Sequence, residues 1–471
     1  MGFQAFLQLW EKRRQYKIVL LLRPSKKNRK LFRPYLREGE ENLKVVWGDA
    51  LNRDDLESAC QGIDWCLHTM ALISPAADRD PERAQMVNTR ATKYIVEAIE
   101  KQDPEHIRLV YIGSVAEYGD RLPPKHVGRT GDPVFPSVYD HYALSKIKAE
   151  LAVMQSRIRH RVSLRQTFIM IPDLFSLMDP IMFHQPIHSH MENITARDSG
   201  RLLISCLDVP DDSDFWGQYF NISGGPQCRT TFLDFLDRIY RMLGINYRKA
   251  MERHWFALRN FHMQFYEDAE KLNQYLNHWE GGQGMEHFYA EVWRSLPWYL
   301  KISAWYARHI PPYGWLMQKI THAQLQKLSL RPGGTMDWIR RKNHGNIKAF
   351  YGSLEQYKAI PGWDKDMPDL DITKSFTRLD HGYDESRAQL TISDLQGAAE
   401  FRGGSLENSE WNGDLQAPLY WQCCQGHSFL KTAHAVLKGG HWCLECISPP
   451  WDYDKIAAKN RFVKQVYPLT S

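Results

Sequence analysis

The chain predicts an α/β protein with a doubly wound parallel sheet, followed by a helical, aromatic-rich region and a small C-terminal module. Three observations carry this expectation. Short apolar runs recur over 17–23, 43–47, 64–70, 107–113, 161–167 and 218–222. Amphipathic helical patterns over 52–61, 80–102 and 139–158 fall between them. Apolar strands alternating with such helices indicate a parallel sheet covered on both faces. After about residue 230 the pattern becomes helical, and near the C-terminus cysteines cluster.

The elements follow in order. Lys17-Ile-Val-Leu-Leu-Leu-Arg23 reads as a buried strand and Leu43-Lys-Val-Val-Trp47 as the next. Asp64-Trp-Cys-Leu-His-Thr-Met70 and Ile107-Arg-Leu-Val-Tyr-Ile-Gly113 are the third and fourth. Residues 161–167 continue the alternation, and 218–222 form a short outlying strand. The opening Met1-Gly2-Phe3-Gln4-Ala5-Phe6-Leu7 runs directly into a helix, so the first strand of the sheet reads as truncated. The expectation is a shortened or mis-started form of a longer chain, with true loss of that strand as the alternative.

Four regions are expected: the sheet domain over 1–230, a helical substrate or cap region over 231–345, a connector over 346–418 and a metal module over 419–471. The second contains Trp255, Trp279, Trp293, Trp298, Trp305 and Trp315. Such aromatic stripes are usually core or dimer interface; the alternatives are a lining for a bulky apolar substrate or a membrane-surface contact. The connector is polar and rich in Asp, Gly and Ser. No internal repeat is visible.

With 471 residues, 43% hydrophobic and 24% charged, the composition is that of an ordinary globular protein with ample core. A net charge of +5 is small for this length and argues against nucleic acid as the main partner. The basic run Lys26-Lys27-Asn28-Arg29-Lys30 is a solvated loop or faces a phosphate. No stretch reaches the 18 or so apolar residues of a membrane span. The apolar residues 3–10 are followed at once by Glu11-Lys12-Arg13-Arg14, which does not read as a signal peptide. Cys60, Cys66, Cys206 and Cys228 are scattered, which suits buried thiols and a cytoplasmic location.

The chemistry centres on Tyr142 and Lys146, four apart and so on one helix face, with Ser114 at a strand end 28 residues before the tyrosine. A lysine ammonium there can lower the phenol pKa, and a serine hydroxyl can hold a substrate oxygen. That trio suits proton transfer coupled to hydride transfer at a carbinol or carbonyl carbon. Ligands of a doubly wound sheet bind beyond the strand carboxyl ends. Arg23 follows the 17–22 run, where a cation, aided by Lys26 and Lys27, suits the 2′-phosphate of NADP. Asp49, after Gly48, is placed to accept from an adenine amino group. Gly2 is placed for the pyrophosphate at a helix N-terminus, with Ala5 at the next glycine position of the fingerprint.

These pieces resemble the extended short-chain dehydrogenase/reductases, the NAD(P)-dependent epimerase/dehydratase family with its Rossmann-like domain. Gly48-Asp49, His68-Thr-Met-Ala71, Asp80-Pro81-Glu82, Asn88-Thr-Arg-Ala-Thr92, Ser114-Val-Ala-Glu-Tyr118-Gly119, Arg165 to Pro172 and Phe220 to Gly225 come in the family's order, over roughly residues 1–275. The resemblance implies that Tyr142 is the general acid/base, that Lys146 lowers its pKa and binds the nicotinamide ribose, and that Ser114 orients the substrate oxygen. It places Gly2, Arg23, Asp49, His68, Ala71 and Asn88 on the cofactor, NADP or NAD. It implies a homodimer formed through two helices, including the one that carries the tyrosine. The family's sugar dehydratases carry an Asp-Glu pair after the catalytic hydroxyl residue, where this chain has Val115 and Ala116. Elimination is therefore not expected. An NAD(P)-dependent oxidoreductase or epimerase acting on a nucleotide sugar or a bulky apolar alcohol is. A catalytically impaired cofactor-binding scaffold is the alternative.

Cys423-x3-His427 and Cys443-x2-Cys446 lie 15 residues apart. Three thiolates and a histidine can enclose a tetrahedral zinc with no open position, which makes the ion structural. Cys424, His434 and His441 are alternative ligands. The segment resembles zinc-ribbon or treble-clef modules, and with Lys431 and Lys438 as its few cations it is not expected to bind nucleic acid.

Overall fold

The computed structural model describes residues 1–38, 41–173, 178–279, 281–367 and 375–467. All six expected strands form: β1 (Ile18–Leu22), β2 (Leu43–Trp47), β3 (Trp65–His68), β4 (Arg108–Ser114), β5 (Arg161–Gln166) and β6 (Tyr219–Ile222). Every pairing among them is parallel. They form two ladders: β1 with β2, and a four-stranded sheet in the order β6-β5-β4-β3. Among the described residues no ladder joins β1 to β3. A doubly wound sheet ordered 3-2-1-4-5-6 has one further strand at that place.

Helices hold the two ladders together. Helix α1 (Gly2–Glu11) turns Ala5 and Leu9 to the four-stranded sheet, where they pack with Val110, Ile112 and Leu67. Its other face carries Phe6 and Trp10 into a cluster with Ile18 and Leu43. Phe6 lies 5.0 Å from Phe32 and 4.9 Å from Tyr35, both on α2 (Lys26–Glu38), in edge-to-face geometry. On the opposite side α3 (Arg53–Cys60), capped by Asn52, packs on α4 (Ala91–Gln102). Leu56 there shares a core with Leu109, Tyr111 and Leu21. Helix α5 (His141–Met154) lies over β4 and β5, and α6 (Ala196–Ser205) covers the other face beside α1.

The region after 231 is helical, as expected. Helices α7 (Phe232–Met242) and α8 (Met285–Ser295) enclose a second core around Phe235, Phe288, Trp255 and Phe256. Helices α9 (Trp298–His309) and α10 (Pro311–Ser329) form an antiparallel hairpin beside it.

The connector differs from expectation. Residues 344–351 and 354–358 are helical, and 368–374 lie outside the described residues, as do 468–471 at the end of the C-terminal module. Residues from Leu379 onward belong to that module: α11 (Ile392–Phe401) and β7 (Ser405–Leu406) precede β8 (Pro418–Gln422) and β9 (Ser428–Thr432), and β7-β8-β9 form one antiparallel sheet. The polar composition that suggested irregular chain is partly capping chemistry: Thr391 and Asp394 form a capping box at the start of α11.

The module packs on α5. Leu144, Ile147 and Leu151, spaced along one helical face, share a core with Leu395, Trp421, Val436 and Tyr453. The chain's own C-terminal module thus covers the face of the tyrosine helix that carries Leu144, Ile147 and Leu151. Leu395 is fully buried in that core. Leu395→Ala should lower the unfolding free energy by about 3 kcal/mol. Denaturant unfolding followed by intrinsic fluorescence checks this, and a loss below about 1 kcal/mol would place α11 at the periphery.

Candidate active site and metal centre

Ser114 ends β4, and the chain turns there into a 3-10 segment, Val115–Tyr118. The Ser114 hydroxyl accepts from Ala116 N at 3.2 Å, and Ser114 N donates to Glu117 Oε1 at 2.8 Å. This capping box fixes the serine at the carboxyl end of the sheet. Tyr142 lies in the first turn of α5, half-buried, with Asp140 as N-cap accepting from Ala143 N at 2.8 Å. Ser114 lies near its phenol and favours the ionised form. The structure thus brings serine and tyrosine together, with Lys146 one turn further on.

The electrostatics differ from the simple expectation. Burial is the largest influence on the Tyr142 phenol and pushes it up, against the lowering influence of Ser114. The Lys146 ammonium points elsewhere. It donates to Ile112 O at 2.6 Å and sits 4.3 Å from the Tyr111 ring centre. Burial lowers its pKa to about 8, opposed by Glu117 and Glu150. In this state the phenol holds its proton at neutral pH.

The expected cofactor residues divide into two groups. Gly2 starts α1 beside the end of β3, where a Cβ would lie 3.1 Å from Thr69 Oγ1. Arg23 follows β1 and is exposed, and Asp49, also exposed, turns the chain after β2 by accepting from Leu51 N at 3.0 Å. Gly48 is required by space, since a Cβ there would meet the Asp55 carboxylate at 2.5 Å. Ala71 is half-buried in the turn after β3.

His68 and Asn88 occupy a different place. His68 is buried, its Nε2 2.7 Å from Thr92 Oγ1, and burial lowers its pKa to about 3. A neutral ring engaged with α4 has a packing role. Asn88 lies in a single π-helical stretch, Gln85–Arg90, a feature frequent at functional sites. It accepts from Leu72 N at 2.6 Å and donates to Leu72 O at 2.9 Å and Ser145 Oγ at 2.8 Å. It therefore ties the loop after β3 to the helix of Tyr142 and Lys146.

A cleft of about 270 Å³ borders the first turn of α5. Asp78, Asp140, His262, Phe261, Trp338 and Phe350 are among its lining residues. Asp78 Oδ1 accepts from Tyr142 N at 3.3 Å, and burial together with Asp140 raises its pKa to about 6. Besides histidines, Arg79 is the one cation among the lining residues, and it pairs with Asp179 at 2.9 Å.

Behind the serine lies a buried charge network whose members are far apart in sequence. Arg165, on β5, is fully buried. Its Nε and Nη2 donate to Glu150 at 3.0 and 2.7 Å, Nη1 to Tyr118 Oη at 2.9 Å and Nη2 to Gly439 O at 2.7 Å. His441 Nε2 lies 2.7 Å from Glu150 Oε2. Burial alone would raise the Glu150 carboxyl, but Arg165 and His441 hold it well below the usual range. Glu117 goes the other way, raised by burial and by Glu150. The available signal was an arginine within an apolar strand run, since buried arginine requires partners.

In the C-terminal module, Cys423, His427, Cys443 and Cys446 converge, their ligand atoms all within 4.8 Å of one another. His427 Nδ1 lies 3.4 Å from both Cys423 Sγ and Cys443 Sγ, and the Cys423 and Cys446 sulfurs are 3.6 Å apart. A tetrahedral zinc with Zn–S bonds of about 2.3 Å sets its ligands at about these separations. The alternative ligands are engaged elsewhere. His434 stacks on Tyr219 at 5.3 Å, His441 meets Glu150, and Cys424 lies outside the cluster.

A parallel α/β body with its candidate site at the strand carboxyl ends defines a dinucleotide-binding class of fold. Residues 4–181 match the model of the NAD dependent epimerase/dehydratase family. Solved structures with a similar fold include UDP-glucuronic acid 4-epimerase from Bacillus cereus in complex with NAD, at 17% identity over 61% of this chain and 92% of that one, TM-score 0.45. Another is dTDP-glucose 4,6-dehydratase from Bacillus anthracis in complex with NAD, at 18% over 64% and 94%, TM-score 0.48. A third is a GalE-like L-threonine dehydrogenase from Cupriavidus necator, at 15% over 59% and 100%, TM-score 0.43. Likenesses of this strength say nothing of activity.

The metal geometry has a direct test. Elemental analysis of purified protein should find about one zinc per chain, and Cys443→Ser should release it and lower the melting temperature. Protein without metal that melts unchanged would remove the site.

Proposed function

We propose that the protein is an NAD(P)-dependent oxidoreductase or epimerase acting at a carbinol or ketone carbon. The observation that carries this is the juxtaposition of Ser114 and Tyr142 at the end of β4, with Lys146 one helical turn away. When bound, the dinucleotide supplies the hydride donor or acceptor. Gly2 at the α1 N-terminus would hold its pyrophosphate, and Arg23 and Asp49 its adenosine end. Tyr142, protonated in this environment, would give its proton to a substrate oxygen held by Ser114 and recover it in the reverse direction. Lys146 would hold positive charge beside the tyrosine as the proton moves.

Elimination is not part of this proposal. Val115 and Ala116 follow the serine, and the next carboxylate, Glu117, is fully buried and bonded to Ser114 N. The cleft also bears on substrate class. Asp78, Asp140 and Asp179 outnumber Arg79 along its wall. Of the arginines that could serve a diphosphate, Arg340 and Arg341 both bond Asp337, Arg259 donates to Lys348 O, and neither these nor Arg294 line the cleft. This favours an uncharged, bulky apolar alcohol or ketone over a nucleotide sugar. Zinc, held by Cys423, His427, Cys443 and Cys446, would be structural.

The second reading, a cofactor-binding scaffold without turnover, draws on the two separate ladders, with no strand between β1 and β3 among the described residues. Two measurements separate the readings. Tyr142→Phe should lower kcat on a ketone or nucleotide-sugar panel by on the order of 10²–10⁴ while leaving dinucleotide binding intact. Dinucleotide binding with no turnover by the unaltered protein would establish the scaffold. Calorimetry should also show tighter binding of NADP than of NAD; equal affinities, or tighter NAD, would remove Arg23 from the 2′-phosphate.

A further inference from the structure

The α9–α10 hairpin exposes an apolar surface that the catalytic reading does not use. Trp298 is 73% exposed, Trp315 61% and Trp305 53%. Tyr299, Ile302, Tyr306, Ile310, Leu316 and Ile320 are exposed beside them. Nine of the seventeen large exposed hydrophobic residues among those described fall within these 23 positions. The spacing is helical: Trp298, Ile302, Trp305 and His309 follow one face of α9, and Leu316, Ile320 and Ala323 one face of α10. Concentrations of this kind mark interaction surfaces.

The charge pattern selects the partner. Residues 298–329 contain Lys301, Arg308, Lys319 and Lys327, and no Asp or Glu. Among the described residues none of these four cations forms an ion pair with a carboxylate. Lys301 donates to Arg294 O, Arg308 to Arg241 O and Met242 O, and Lys319 sits 4.2 Å over the Trp315 ring. A second copy packed face to face would set cations against cations with no acid to pair. Exposed isoleucine and leucine do not match the stacking platforms of nucleic-acid sites. Tryptophan and tyrosine mixed with aliphatic residues and fringed by lysine and arginine is the composition of a surface lying in a lipid headgroup layer. No helix of the described residues is long and apolar enough to cross a membrane.

We propose that the α9–α10 hairpin docks the protein on the surface of an anionic lipid bilayer. The three tryptophans enter the interfacial layer, and the cations of the hairpin meet lipid phosphates and carboxylates. This inference is independent of the catalytic reading.

The full chain is sedimented with vesicles of phosphatidylcholine alone and with vesicles containing about 30% phosphatidylserine, at about 0.05 M and about 0.5 M salt. Binding to the anionic vesicles should exceed binding to the neutral ones by roughly tenfold and fall with salt. The triple variant Trp298→Ser/Trp305→Ser/Trp315→Ser should lose it while keeping the far-UV circular dichroism and melting temperature of the parent, because all three rings lie at the surface. If that variant unfolds, Ile302→Glu, a single exposed change, replaces it with the same expected loss. No binding to anionic vesicles, or equal binding to both compositions, overturns the proposal. So does a dimer in light scattering that the tryptophan changes convert to monomer, which would give the face to a second copy. Preferential binding of a single-stranded oligonucleotide overturns it as well.

Discussion

The buried Arg165 guanidinium is the constraint on which the rest of this structure depends. A cation without solvent must be paired and fully hydrogen-bonded, since a lone buried charge costs several kcal/mol. Its partners come from separate parts of the chain: Glu150 from the tyrosine helix, Tyr118 from the segment after Ser114, and the Gly439 carbonyl from the C-terminal module. His441 from that module completes the coordination of Glu150. Ser163 Oγ adds a bond to Glu150 at 2.5 Å. The sheet, the tyrosine helix and the module are therefore held in one register by a single charge centre.

That arrangement gives the module a physical role in the site. Glu117 Oε1 accepts from Ser114 N, while its Oε2 lies 3.6 Å from Arg165 Nε. Tyr118 Oη donates to Asn221, whose amide donates to Asp268 at 3.1 Å, and Asp268 accepts from Thr130 N and Oγ1 at 2.7 Å. The serine is thus tied through Glu117, Arg165 and Glu150 to residues 439–441, two residues short of the candidate metal ligand Cys443. The same module shields Leu144, Ile147 and Leu151 on α5 from water.

Much of the α/β body was legible because its signals are local. Strand runs between turn residues, the capped helices and the Tyr142–Lys146 spacing each state their structure within a few positions. The Cys423, His427, Cys443 and Cys446 set was legible for a similar reason, since tetrahedral ligation imposes residue types and short spacings. What stayed hidden depends on partners distant in sequence. His68 stands at a strand end where the family resemblance expects a cofactor contact, and only the fold shows that its ring meets Thr92 at 2.7 Å. The start of the C-terminal module near Leu379 was masked by polar residues that serve as caps. Trp255 and Trp298 look alike in a helical aromatic pattern, but one is 2% exposed and the other 73%. Periodicity reports a face, not what covers it.

Lys146 shows how the network and the chemistry meet. Burial drives its pKa down, and without compensation a desolvated ammonium would lose its proton near neutrality. Glu117 opposes that loss, and so does Glu150, one helical turn beyond the lysine on α5 and ionised by its bonds to Arg165 and His441. The pKa settles at about 8, so the lysine carries its charge at neutral pH while facing Ile112 O. The Glu150 carboxylate that shares in this is held in place by an arginine from the sheet and a histidine from the C-terminal module. A change at His441 therefore acts on the Tyr142 site through Glu150, without touching any group at the end of β4.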